Sequence, residues 1–222
     1  MSRFAFLSVA SLSLVASAAA DPLLEMMSNI SDDGPRYAYE TSFAWDGIDA
    51  TATVDPSQPV GARIKILSPA ESAWSKAFRQ ELEERDESTD GDIWCTEFGQ
   101  MVPKDASVSD ESDTTVTYAF TPVPEPDADS NEQKMMKQLD GTVVLDKADG
   151  AVLAFKMRLP KPYKPAMVAK INAFEMDVTC ARSPDGRTFI EEFNFDISGS
   201  AMMQSFEETV SRQITKLLEP VD

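Results

Sequence analysis

The segment Asp86 to Phe98, DESTDGDIWCTEF, sets oxygen-bearing side chains at the alternate positions used by the calcium loop of an EF-hand. Asp86, Ser88, Asp90 and Asp92 take positions one, three, five and seven, Gly91 the sharp turn at six, Ile93 the apolar eighth place and Glu97 the twelfth. A hard cation accepts such an oxygen set, and the last carboxylate closes the shell in bidentate fashion. Trp94 stands at position nine, where a small polar or water-bridging residue is usual; Cys95 follows it and Pro103 stops any exiting helix early. In so acidic a chain short motifs match by chance, so the competing reading, a solvated acidic turn, is the favoured one. No other cofactor has a motif here.

Catalytic chemistry finds little footing. The 222 residues contain no histidine, which excludes Ser-His-Asp and Cys-His centres and every histidine-based zinc site. Gly-x-Ser-x-Gly, Ser-x-x-Lys and Gly-Lys-Ser/Thr are absent as well. Paired carboxylates serve as acid and base in some enzymes, but the abundance of Asp and Glu singles out no pair. The expectation is a protein that is not an enzyme.

Two further groupings point to binding. KMRLPKPYKPAMVAK holds five basic residues and no acid: Lys156, Arg158, Lys161, Lys164 and Lys170. In a chain with 38 acidic and 20 basic residues, such a patch offers transient docking to an anionic membrane or an acidic protein. The plainer reading is a solubilising edge paired with nearby carboxylates. The formal net charge of −18 repels nucleic acid, so that partner class is set aside. Met135, Met136, Met157, Met176, Met202 and Met203 either fill core gaps or line an adaptable apolar pocket.

The elements that position these residues follow from periodicity. Arg3, an apolar run from Phe4 to Ala16 and the small residues Ala18 to Ala20 read as an export leader over 1–20, with cleavage near Ala20. The expected location is periplasmic or secreted, and 21–222 is expected to form one β-rich domain with an acidic loop insertion near 105–131 around a single strand. Cys95 and Cys180, an even pair in an exported chain, predict one disulfide. Alternation in RYAYETSFAW puts Tyr37, Tyr39, Phe43 and Trp45 on one face, and Asp46-Gly47 turns the chain into IDATATV. SPAESAWSKAFRQELEER predicts a helix from Pro69 to Arg85, with Ser68 and Glu71 as a capping box and a Trp74/Phe78 stripe that must cover something apolar.

Three long strands then place Phe155 and Met157, Phe174 and Met176, and Phe193 and Phe195 on one shared face. The last segment, 205–218, fits a helix through Phe206, Val210, Ile214 and Leu217, or an edge strand through Val210, Arg212, Ile214 and Lys216; spacing slightly favours the helix. The whole reads as α+β, mainly β: a curved antiparallel sheet of about eight strands, an unclosed barrel covered by one main helix. A sheet of this size either curls on itself or leaves a concave apolar space for a guest.

The leader, the paired strands from YAYETSFAW, the covering helix, DGTVVLDKADGAVLAFKM and DGRTFIEEFNFDISGSAMM together resemble the lipoprotein-localisation carriers of the bacterial periplasm. That resemblance implies an unclosed barrel whose helical lid covers a cavity for acyl chains. On that resemblance the chain is expected to carry an apolar or acylated small molecule or lipoprotein, with Trp74, Phe78, Phe155, Met157, Phe174, Met176, Phe193 and Phe195 expected around the ligand. The alternative is a structural or interaction protein with a self-packed core, its 86–97 loop tightened by calcium.

Overall fold

The computed structural model describes residues 21–29, 35–45, 47–124 and 128–221. The expected leader lies outside them. Helix α1 (Pro22–Ser28) opens the chain, capped by the Asp21 carboxylate, which accepts from the Leu23 amide. Strands β1 (Arg36–Trp45) and β2 (Ile48–Val54) form the first hairpin, with Trp45 opposite Ile48 and Gly47 at φ 71° in the turn. Strand β3 (Ile64–Ser68) pairs with β2.

The predicted helix begins later than its capping box. Ser68 is paired with Thr51 in the ladder, so its backbone is committed to the sheet. A 3-10 turn over Glu71–Ala73 follows, closed by the Trp74 indole donating to the Pro69 carbonyl at 3.0 Å. Helix α2 (Lys76–Ser88) starts at Ser75, whose hydroxyl accepts from the Phe78 amide at 2.9 Å. A second 3-10 helix spans Cys95–Met101, and α3 (Ser130–Met136) caps on Asp129. The cover is therefore shared among several helices.

The remaining strands are β4 (Ser107–Glu111), β5 (Thr115–Phe120), β6 (Asp140–Asp146), β7 (Val152–Arg158), β8 (Tyr163–Ala166), β9 (Ala169–Arg182), β10 (Thr188–Ala201) and β11 (Gln204–Val221). All pair antiparallel in one sheet of 11 strands, ordered β3-β2-β1-β11-β10-β9-β7-β6-β5-β4, with β8 added beside β9. The sheet does not close: β3 and β4 are its ends.

Three strands exceed the sequence expectation. β4, the sequence SVSDE, is exposed along its whole length, so it has no alternation to read, and within the expected loop insertion residues 107–120 form a hairpin of two strands where one was expected. β8 is four residues long and contains Pro165, which an edge strand tolerates. β11 replaces the expected C-terminal helix, because both β1 and β10 use it as their ladder partner.

Two cores lie on the same sheet face. The larger joins Val116 and Tyr118 of β5, Val143 and Leu145 of β6, Phe155 and Met157 of β7 and Met176 and Val178 of β9, under Leu23, Met26, Met136 and Leu139. Gly141 lets the Phe120 ring lie across β6 and reach Phe155, since a Cβ there would meet that ring at 2.4 Å. The smaller core gathers Tyr37, Tyr39, Val54, Ile93, Trp94, Phe189 and Ile214. Cys95 and Cys180, both members of the larger core, form the predicted disulfide, which ties the 3-10 helix to β9.

Candidate functional site

Helix α2 meets the sheet through few anchors. Its buried residues are Phe78 and Asp86. The Phe78 ring lies 6.1 Å from Phe43 and 6.3 Å from Trp45, both on β1, with Trp74 at 5.7 Å on its other side. The Asp86 carboxylate accepts from two backbone amides, Gly61 in the loop leading into β3 and, at 2.7 Å, Ile64 at the start of β3. Removing it strands both donors. Asp86→Ala is expected to cost roughly 1–3 kcal/mol and to raise amide exchange along α2 first; exchange unchanged in α2 would show that Phe78 alone holds the helix.

Between α2 and the sheet lies a cleft of about 240 Å³, partly open to solvent. Its floor is Tyr39, Phe43 and Trp45 of β1 with Val210 and Arg212 of β11; its roof is Phe78, Leu82 and Arg85. Strand register explains the floor. Phe43 stands opposite Arg212, and Arg212 opposite Phe193, so these side chains share the inner face. The Arg212 guanidinium sits 5.9 Å from the Phe193 ring. Arg212 keeps some contact with solvent, yet its Nε is enclosed and has no hydrogen-bond partner. Burial pushes its pKa below the usual guanidinium value, with the field of Tyr39 opposing the shift and that of Arg85 adding to it. Burial likewise raises the Tyr39 phenol. Arg85, by contrast, is paired to Glu81 one turn away at 2.5 Å.

The cleft thus offers aromatic walls and the Arg212 cation, with the carboxylates of Glu81, Asp90 and Asp92 also in its lining. Water there loses hydrogen bonds on the aromatic sides, whereas an apolar chain does not, and an anionic group beside Arg212 would pair with the guanidinium charge.

Of the eight expected ligand residues, Phe78 lines this cleft. Trp74 packs behind Phe78, and its ring carries the Arg79 guanidinium at 5.2 Å. Phe155, Met157 and Met176 are sealed in the larger core, Phe155 stacked on Phe98 at 4.9 Å. Phe174 and Phe195 meet edge to face at 5.5 Å and remain half-buried on the inner face beyond the cleft. Phe193 is similarly half-buried, beside Arg212. The expected lid and the expected floor therefore belong to opposite halves of the sheet. Arg212 was missed because 205–218 read as a helix; its alternation with Val210 and Ile214 was the signal.

The basic patch also divides. Lys156 and Arg158 project from the outer face of β7, where Lys156 pairs with Asp177 and Arg158 stands opposite Glu175. Lys161, Lys164 and Lys170 sit around the β8–β9 hairpin. The 86–97 segment is not arranged as a cation loop. Asp86 faces the 61–64 backbone, and α2 runs on through Ser88. Asp90 and Asp92 accept from the amides of Asp92 and Trp94, and Trp94 is buried beneath the Arg187 guanidinium at 3.5 Å. Glu97 lies on the following 3-10 helix. Among the described residues no three His, Cys, Asp or Glu side chains converge as metal ligands.

No family model matches this chain, and neither a curated relative nor a solved structure does.

Proposed function

We propose that the protein is a non-enzymatic, exported binding or carrier protein whose ligand is an apolar chain bearing one anionic group. The single observation that carries this reading is the aromatic cleft beneath α2 with the unsatisfied Arg212 Nε at its floor. The apolar part packs on Phe43, Trp45 and Phe78, at about 25 cal/mol for each Å² removed from water. The anionic end pairs with the Arg212 guanidinium. A space of 240 Å³ matches the liquid volume of roughly eight water molecules, so it holds one short chain, or the end of a longer one if α2 swings away.

Calorimetric titration of delipidated protein with dodecanoate and with its methyl ester tests this. Dodecanoate is expected to bind at one site. A charge-assisted hydrogen bond contributes roughly 1.5–3 kcal/mol, so Arg212→Met is expected to weaken dodecanoate by about 10- to 100-fold and to leave the ester unchanged. Uptake of neither compound would end the carrier reading. The sealed core around Phe155 supports a second reading, a structural or interaction protein, which that result would favour.

A further inference from the structure

The β8–β9 and β10–β11 hairpins end side by side, joined by the Met202 amide donating to the Val168 carbonyl at 2.9 Å. Each reverses through two residues, Met167-Val168 and Met202-Met203. Both tips are oily. Met167 and Met203 are fully exposed, Met202 is 79% exposed and Val168 62%, and Phe206 lies beside them across Gly199. Of ten exposed large apolar residues among those described, these are five; the other five are spread over separate elements. Isolated exposed apolar residues are ordinary, whereas a cluster marks an interaction site.

The turn itself carries a second, independent sign. Met202 and Met203 have φ of 50° and 68°, the arrangement that Asn-Gly satisfies without strain. Methionine there is a poor turn former that offers its side chain to solvent in a left-handed backbone. Local folding does not ask for it.

Charge names the partner. Residues 161–171 and 198–206 carry Lys161, Lys164 and Lys170 and no acid, a local charge of +3 in a chain of −18. None of the three lysines is ion-paired to a described residue. Unpaired cations around projecting apolar side chains match an anionic bilayer surface: the lysines meet headgroups while the methionines pass into the acyl boundary. We infer that the paired hairpin tips are a membrane-docking foot that inserts Met167, Met202 and Met203 into anionic lipid. The inference stands on the tips alone and does not depend on the cleft.

Vesicle flotation of the purified protein tests it, with phosphatidylglycerol–phosphatidylcholine vesicles against phosphatidylcholine alone. Binding is expected to the anionic vesicles and to fall about tenfold or more in Met167→Ser/Met203→Ser and in Lys164→Gln/Lys170→Gln. Met167, Met203 and Lys164 are exposed and Lys170 is half-buried, and urea unfolding of each variant checks that the fold is kept. A Phe206→Trp reporter is expected to shift to the blue and to be quenched by brominated lipid. No partition of the native protein, equal partition of the serine variant, or methionine-dependent self-association in sedimentation would each overturn the inference, the last by giving the tips to a second copy of the chain.

Discussion

Phe155→Ala is expected to lower the unfolding free energy by about 3–5 kcal/mol, read as a shift of the urea midpoint at constant slope. Phe155 has no solvent exposure, stacks on Phe98 and touches Phe120. The Cys95–Met101 helix packs on β7 above it. A loss below about 1 kcal/mol would show that this wall is loosely packed, and the ligand would then have two places to sit. The same substitution is expected to leave dodecanoate binding unchanged, because Phe155 does not line the cleft.

The disulfide should matter as much. Cys95 and Cys180 are 85 residues apart, and closing a loop of that length constrains the unfolded chain by roughly 4 kcal/mol in the entropic account. Cys95→Ala/Cys180→Ala is therefore expected to lose about that amount in equilibrium urea unfolding. Reduction of the native protein should do the same. A change under about 1 kcal/mol would mean that the unfolded chain already keeps the 3-10 helix near β9. Cys95 directly follows Ile93 and Trp94 of the smaller core, so loss of the bond is expected to loosen the segment 93–95, which hydrogen-bonds to β10 through Ile190.

The half-buried strands were legible because their physics is local. Tyr37 to Trp45 alternates, and Gly150 permits a turn at φ 67° that a side chain would obstruct, since a Cβ there would strike the α1 backbone at 2.7 Å. The disulfide followed from count and compartment. β4 was invisible because an edge strand exposed on every residue has no hydrophobic period. β11 deceived because Phe206, Val210, Ile214 and Leu217 satisfy a helical stripe, while the demand of two neighbouring strands for a partner is a long-range fact.

The cleft was half legible. Tyr39, Phe43 and Trp45 were placed on one face, and Phe78 was assigned to the lid. What periodicity could not say is that strand order sets β11 between β1 and β10, bringing Arg212 under that lid and leaving the Phe155 wall to other helices. The misplaced helix start has the same origin: Ser68, Pro69 and Glu71 form a sound local cap, but pairing with Thr51 claims Ser68 first.

An open sheet has two bare rims, and each displays unpaired amides and carbonyls to any passing strand. At β4 that rim carries Asp110 and Glu111, with Asp105 just before it and Asp113 just after. A sister molecule offering the same rim would have to bring carboxylate against carboxylate. Like charge at this rim thus opposes pairing of β4 with the β4 of a second copy.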